Sequence, residues 1–258
     1  MKFGMPSLIE LGSLEQNLTL CRKLDLSFIE LNMNLPFFQL SDLSNLRPVP
    51  DIEYSLHLPE EFNVWDFSDI IRESYLKLIE KTIKIAVDKN IKILNMHMNP
   101  GIYFTLPEKK VFLFRKYRRK YIENTKHFAN KISGMLKKTN ITVCIENTGI
   151  YDKDFILESL LHLLRFDCFK LTWDTGHDYS SGNKDILFIK DNFNKLKHLH
   201  LHDAIGRKNH LPLGIGYLNI KEILNEVNEY VERIVIETKT ISGLRQSVKY
   251  LKEIAIIK

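Results

Sequence analysis

The sequence is poor in cysteine and lacks any apolar run long enough to cross a membrane. Its three cysteines, Cys21, Cys144 and Cys168, are scattered and odd in number, which argues against a disulfide framework or a thiolate zinc site and fits a reducing cytosol. The first ten residues lack a basic region followed by an apolar core, so no targeting segment is indicated. We therefore expect a cytoplasmic protein with no membrane partner.

Neither the charge nor the composition selects one partner. The 258 residues include 37 Lys or Arg and 32 Asp or Glu, a mildly basic balance that permits nucleic acid or a phosphorylated substrate and requires neither. The length suffices for one large α/β barrel or two small domains, and no Gly/Ser linker marks a boundary. We expect one domain over residues 1–258, of undefined oligomeric state.

Short runs rich in Ile, Val, Leu and Phe alternate with longer stretches of helical spacing. The predicted strands are 2–6, 26–33, 53–58, 92–98, 141–147, 169–174, 196–203 and 233–238. The predicted helices are 13–24, 68–90, 108–138, 154–166, 185–192, 220–231 and 242–254. Residues 35–51 contain three prolines and indicate an irregular segment with a helical turn. Eight strands with intervening helices in a chain of this length predict a single (β/α)8 TIM barrel of the α/β class.

The predicted helix 108–138 opens with a cluster of basic residues. They are Lys109, Lys110, Arg115, Lys116, Arg118, Arg119 and Lys120. A solvated outer face of a barrel helix is the simpler interpretation, and a contact with a phosphate backbone is the alternative. A run of charge alone carries little specificity between the two.

Six consecutive predicted strands each end in an ionisable or metal-binding side chain. These are His57, His97, Glu146, Asp174, His200 and Glu237. In a TIM barrel the carboxyl ends of the strands form one rim, where active sites lie. Each residue alone has an ordinary explanation, such as a satisfied histidine, a helix cap or a surface ion pair. Together they favour one shared site, because a divalent cation would satisfy three carboxylates and an imidazole at once.

The alternation of side chains along the strands supports this interpretation. Each of the three carboxylates shares a strand face with smaller side chains, whereas the opposite face is bulky and suits contact with helices. His198, His200 and His202 share one face, so only depth in the barrel distinguishes them. We take His200 as the ligand, His198 as a structural histidine lower in the barrel, and His202 as a rim residue that supports a ligand or binds substrate.

With these residues the chain resembles the xylose isomerase-like TIM-barrel superfamily, which contains sugar isomerases and epimerases and the endonuclease IV type of AP endonuclease. The resemblance implies that Glu146, Asp174, His200 and Glu237 are the shared metal ligands. The loop after the seventh strand, in which His210 precedes Leu-Pro-x-Gly-x-Gly, resembles that of the superfamily. So does the Asp-Thr-Gly-His run, in which His177 stands three residues after the aspartate.

The chain departs from the endonuclease branch at one position. His57 and His97 match histidines that this branch uses as zinc ligands. The branch normally has an aspartate two residues before the histidine that His210 matches, and this chain has Lys208 there. A lysine ammonium repels a cation. The resemblance therefore implies one firm metal ion and room for a second near His57 and His97, rather than a complete three-metal cluster.

The resemblance implies a divalent-metal-dependent sugar or sugar phosphate isomerase or epimerase. Glu146 and Glu237 would be the catalytic acid/base pair that moves a proton between carbons through a metal-stabilised enediolate. Zn, Mn, Co or Mg is the expected ion. The further candidates for metal or substrate binding are His57, His97, His177, His202, His210 and Arg207.

Two alternatives stay open. The first is an endonuclease IV-like AP endonuclease that cleaves abasic DNA with a zinc cluster; the extra histidines and the formal net charge of +5 favour it, and Lys208 counts against it. The second is a metal-binding barrel without catalysis. It is the weaker of the two, because two glutamates beside one ion point to proton transfer.

Overall fold

Eight short strands of branched and aromatic residues pair side by side and close into a barrel. The structure is a computed structural model that describes residues 1–257. Its barrel strands are β1 (Lys2–Pro6), β2 (Phe28–Asn32), β3 (Glu53–His57), β4 (Ile93–His97), β5 (Thr142–Glu146), β6 (Phe169–Asp174), β7 (Leu196–Leu201) and β8 (Arg233–Ile236). All pair in parallel in chain order, and β8 closes on β1. The predicted (β/α)8 TIM barrel is confirmed.

A helix follows each barrel strand and covers its outer face. The helices are α1 (Leu14–Lys23), α2 (Leu40–Ser44), α3 (Asp69–Asp88), α4 (Arg118–Leu136), α5 (Asp154–Leu163), α6 (Ile186–Asp191), α7 (Ile220–Val227) and α8 (Ile241–Glu253). The side chains of Ser13, Asn219 and Thr240 cap the first turns of α1, α7 and α8 by accepting a backbone N–H. The short helix α2 lies in the segment 35–51, as the prolines there predict.

The first part of the predicted helix 108–138 is wrong. A hairpin of Tyr103–Thr105 and Lys110–Phe112 occupies this region, followed by a short helix, Leu113–Lys116, and then by α4. Aromatic and β-branched residues on both sides of Pro107 favour paired strands over a helix. The basic cluster is therefore divided between the hairpin, the short helix and the start of α4.

The seventh strand also ends earlier than predicted. β7 stops at Leu201, and a second hairpin of Asp203–Ile205 and Lys208–Leu211 follows at the rim. Its turn contains Gly206, which has a φ of 56° that favours glycine. This hairpin carries His210 back toward the barrel mouth. Two further short helical segments, Thr175–Ser180 and Phe193–Lys195, lie beyond those that the sequence predicts.

Polar side chains meet inside the barrel, where branched aliphatic residues are the rule. Glu30 on β2 lies 3.0 Å from His198 on β7, although these two strands are not neighbours, so the contact crosses the interior. The hydroxyl of Thr172 donates to Asn95, also between non-neighbouring strands. All four residues are buried. This polar layer lies beneath the carboxyl ends of the strands and supports the groups above it.

The three cysteine thiols are free. No helix among residues 1–257 combines the length and the apolar character that crossing a membrane requires.

Candidate metal centre

The four predicted ligands converge at the carboxyl end of the barrel. His200 Nδ1 lies 3.3 Å from Glu146 Oε2, 3.0 Å from Glu237 Oε2 and 4.0 Å from Asp174 Oδ2. One donor atom from each of the four residues lies within 4.8 Å of the others, and all four residues are buried. Parallel pairing brings them together, because Asp174 stands beside His200 in register and Glu237 directly follows β8 on the other side of β7.

The donor atoms fit a divalent cation. His200 Nδ1 and Glu237 Oε2 are buried and have no well-aligned hydrogen bond within residues 1–257, although they lie 3.0 Å apart. Buried polar atoms are normally hydrogen-bonded, so two that face each other without such a bond call for an explanation. Three carboxylates and one imidazole form a set that suits Mg²⁺, Mn²⁺, Co²⁺ or Zn²⁺.

The proximity of these groups shifts their proton affinities in opposite directions. Burial raises the pKa of Asp174 well above its ordinary value, and the Glu237 and Glu146 carboxylates add to the shift. Burial alone would lower the pKa of His200, but the charges of Glu146, Glu30 and Glu237 outweigh it and raise that pKa well above the usual range. His200 conversely outweighs burial and holds the pKa values of Glu146 and Glu237 well below their ordinary range.

We predict that metal binding near neutral pH releases about one to two protons per ion. Asp174 and His200 both hold their protons to higher pH than usual, and a cation requires both groups in the unprotonated form. Affinity should therefore rise with pH. Isothermal titration calorimetry of Zn²⁺ binding, in buffers of different ionisation enthalpy, counts the protons. A binding heat that is independent of the buffer would contradict the prediction.

His57 and His97 lie beside the cluster and share Glu146 with it. The Nε2 atoms of His57 and His97 lie 3.3 Å and 3.2 Å from Glu146 Oε2. His57 Nδ1 donates to the Leu58 carbonyl at 2.7 Å. Burial alone would lower the pKa of His57, but the Glu146 carboxylate outweighs it and raises that pKa. These two histidines and Glu146 form a second group with the spacing of metal ligands. The predicted proximity of the two histidines to the first site is thus observed.

His177, His202 and His210 form a third group with such spacing on the opposite flank. His202 Nε2 donates to Asp174 Oδ2 at 3.0 Å, and its Nδ1 accepts the backbone N–H of His210 at 2.7 Å. Both nitrogens of His202 are therefore engaged, and this residue orients Asp174 and the rim hairpin. His210 donates through Nδ1 to the Glu237 carbonyl, and its Nε2 lies 3.2 Å from Nε2 of His177.

The Asp-Thr-Gly-His run forms a tight turn around the cluster. Asp174 Oδ1 accepts the backbone N–H of His177 at 2.6 Å and caps the helix Thr175–Ser180. A Cβ atom at Gly176 would overlap the ring of His202, so only glycine fits there. Asp174 is thus both a helix cap and a member of the cluster.

Arg207 is the one predicted site residue that the structure leaves outside these groups. It lies exposed at the turn of the rim hairpin, and its side chain forms no hydrogen bond or ion pair with another of the residues 1–257. Lys208 is exposed beside it. The role of Arg207 toward substrate stays a prediction.

Asp203 organises the loop that carries His210. Its buried carboxylate accepts four backbone N–H groups, from Ala204, Gly214, Gly216 and Leu218, at 2.8–3.1 Å. The loop after β7 therefore folds around one anionic centre, which the sequence pattern does not single out.

We predict that Asp203→Asn destabilises the protein by about 3 kcal/mol, because hydrogen bonds to a buried charged group are strong and an amide nitrogen cannot accept an N–H. Urea unfolding followed by circular dichroism measures this change. Asp167→Asn, at an exposed position, is the matched control and should change little. Equal midpoints for the two variants would show that Asp203 does not hold the loop.

The residues predicted from the sequence do not include three that the structure places at the site. Glu30 lies 2.9 Å from His200 Nε2, Asn95 donates to Glu146 Oε2, and Lys239 Nζ lies 2.7 Å from Glu237 Oε1. The signal for Glu30 was present, because a carboxylate between Ile29 and Leu31 in an apolar strand is as unusual as Glu146. Lys239 follows Glu237 by two residues, a spacing that by itself indicates no more than a surface ion pair.

Comparisons with known proteins agree with this architecture. One solved structure, a D-tagatose 3-epimerase-like protein, is 23% identical, with a TM-score of 0.76 over 98% of this chain and 96% of that chain. A 3-keto-D-glucoside 4-epimerase from E. coli is 14% identical, with a TM-score of 0.72 over 98% and 99%. The IOLI protein with a binding zinc atom is 14% identical, with a TM-score of 0.73 over 99% and 97%.

These likenesses establish the fold alone, and no curated protein sequence matches the chain. The family model described as xylose isomerase-like TIM barrel matches residues 18–254, which is most of the sequence. The chain therefore belongs to the xylose isomerase-like TIM-barrel family.

Proposed function

We propose that this protein is a divalent-metal-dependent isomerase or epimerase of sugars or sugar phosphates. The observation that carries the proposal is the placement of two ionised glutamates, Glu146 and Glu237, on either side of His200 Nδ1. Proton transfer between carbons needs an ionised group that removes a proton and a protonated group that returns one, and either glutamate can remove it. The sugar epimerases among the similar structures support this choice of substrate class.

A cavity beside the cluster, lined by residues from the first three strands and their loops and from the end of the eighth strand, has a size that suits a small carbohydrate. Its volume is about 330 Å³, which lies at the lower end of the usual range for small-molecule sites. The polar residues that line it include Ser7, Glu30, Asn32, Asn34, His57, Glu60 and Lys239. Glu237 also lines the cavity, so one of the two proposed acid/base groups faces the space that a substrate would occupy.

Glu146, Asp174, His200 and Glu237 would hold the ion. When bound, a divalent cation polarises a substrate carbonyl and makes the neighbouring C–H more acidic. For isomerisation, one ionised glutamate would take the proton from that carbon and return it to the former carbonyl carbon, while the hydroxyl proton passes to the former carbonyl oxygen. For epimerisation, the proton would return to the opposite face of the same carbon from the other glutamate, which enters that step protonated. Asn95 fixes Glu146 and Lys239 fixes Glu237, so each carboxylate keeps its orientation during the transfer. His177, His210 and Arg207 are proposed contacts for substrate hydroxyls or a phosphate.

Solvent deuterium wash-in tests this proposal. The purified protein is loaded with Zn²⁺, Mn²⁺, Co²⁺ or Mg²⁺ and incubated in D₂O with a panel of keto-sugars and their phosphates, and incorporation is followed by NMR. We expect exchange at a carbon next to the carbonyl of at least one substrate. Failure across a broad panel with all four ions would refute the isomerase function.

One observation favours a second candidate, an AP endonuclease. Two pairs of histidines adjoin the central cluster on opposite sides: His57 with His97, and His177 with His210. This arrangement has room for more than one ion. A duplex with an abasic analogue, incubated with the zinc-loaded protein, is the direct test. Cleavage, together with about three zinc ions per chain, would favour the nuclease over the isomerase.

A further inference from the structure

His200 has two ring nitrogens, and only one of them faces the proposed ligand cluster. Nδ1 points toward Glu146 and Glu237, whereas Nε2 points down into the barrel and lies 2.9 Å from Glu30 Oε1. A neutral imidazole carries its proton on one nitrogen and a lone pair on the other, and the partner of the protonated nitrogen decides which is which. Carboxylates therefore face both nitrogens, and neither nitrogen has a well-aligned hydrogen bond within residues 1–257. An ion held by Glu146 and Glu237 would take the Nδ1 lone pair, which leaves the hydrogen on Nε2, beside the Glu30 carboxylate.

Glu30 is itself held in place from two other sides. Its Oε2 accepts the Ser55 hydroxyl at 3.2 Å and lies 3.0 Å from His198 Nε2. Glu30, Ser55, His198 and His200 are all buried, and they join β2, β3 and β7 across the barrel interior. A buried carboxylate is costly unless each of its oxygens has a partner. Glu30 Oε2 has two such partners, and Oε1 lies at ion-pair distance from His200 Nε2, so Ser55 and His198 hold the carboxylate beside His200.

We infer that Glu30 is the positioning residue of the metal centre, which keeps the hydrogen of His200 on Nε2 and directs the Nδ1 lone pair to the ion. Outer carboxylates of this kind orient a histidine ligand and raise its basicity. The inference rests on the proposed metal centre and is independent of which sugar, or which other substrate, the protein binds. A purely structural Glu30 would contribute to stability and leave metal binding unchanged.

The decisive variant is Glu30→Gln, which keeps the size of the side chain and removes its charge. Zn²⁺ affinity is measured by competition with a chromophoric chelator. We expect it to fall about tenfold, the lower end of the effect of losing such an outer partner. In Zn²⁺-loaded protein labelled with ¹⁵N-histidine, the Nε2–H proton of His200 should move upfield as the carboxylate charge beside it is lost. The signal is assigned by its nuclear Overhauser contact with the neighbouring ring of His198. Unchanged affinity and an unchanged signal would overturn the inference.

A second measurement uses the wild-type protein and does not depend on the folding of a variant. After loading with ¹¹³Cd²⁺, one histidine should show scalar coupling to the metal through Nδ1, and coupling of His200 through Nε2 would overturn the inference. Thr125→Val is the matched control, because Thr125 is buried and hydrogen-bonded to Trp65 and Ser159 away from the site. It should lower the unfolding midpoint and leave Zn²⁺ affinity unchanged. Failure of the wild-type protein to bind either metal would refute the metal centre itself, and this inference with it.

Discussion

Glu146→Gln should lower solvent deuterium exchange into the substrate by about 10²- to 10⁴-fold, the usual contribution of a general acid or base, while the barrel stays folded. Glutamine keeps the shape of the side chain and an oxygen that accepts the Asn95 amide, so the local packing survives. What disappears is the ionised carboxylate, which His200 holds in its charged form. The measurement is the rate of deuterium incorporation into the substrate that the wash-in panel identifies.

The matched control is Glu123→Gln, at an exposed position on α4. It makes the same chemical change far from the rim and should leave the exchange rate unaltered. Zn²⁺ affinity of Glu146→Gln is measured alongside, because loss of the ion and loss of the base both reduce exchange. Wild-type exchange in Glu146→Gln would show that the proton transfer takes place elsewhere.

The rim of this site could be predicted because a parallel barrel leaves little freedom at its carboxyl end. Once the strands are placed, residues such as Glu146 and Asp174 must lie at one level on one edge. The expected depth in the barrel distinguished His198 from His200, because residues two apart on a strand lie about 6.6 Å apart along it. In the structure both histidines contact Glu30, and only His200 also reaches Glu146 and Glu237.

The partners of these residues could not be predicted, because they come from distant parts of the chain. The contact between Glu30 and His200 joins β2 to β7 across the interior, and no local spacing indicates which side chains meet there. His202 is a similar case. The strand face on which it lies could be predicted. Its hydrogen bonds with Asp174 and with the backbone N–H of His210 could not, because they depend on the path of the rim hairpin.

The start of the predicted helix 108–138 was wrong for a different reason. Its lysines and arginines suit an exposed helix, but Lys110–Phe112 pairs with Tyr103–Thr105, a segment outside the predicted helix. Aromatic residues stabilise this hairpin, in which Tyr103 stands opposite Phe112. The helical pattern is correct only from Arg118 onward, where α4 packs its apolar side against the barrel.

Zn²⁺ at a hundredfold excess over its dissociation constant should stabilise the folded protein by about 2.7 kcal/mol, because it binds the assembled cluster and not the unfolded chain. For a protein of this size the unfolding midpoint should rise by roughly 5–10 °C. The rise should shrink as the pH falls, since His200 and Asp174 hold their protons in competition with the ion. Scanning calorimetry with and without Zn²⁺ measures it.

His200→Gln should abolish most of this rise, because His200 supplies the donor atom that lies within 4.0 Å of all three carboxylates. His127→Gln, at an exposed position on α4, is the matched control and should keep the full rise. An equal rise in both variants would mean that the stabilising ion binds without the central imidazole. The four-residue cluster would then not be the metal centre. A rise in the control alone ties the stability of the barrel to the same four side chains that the proton transfer requires.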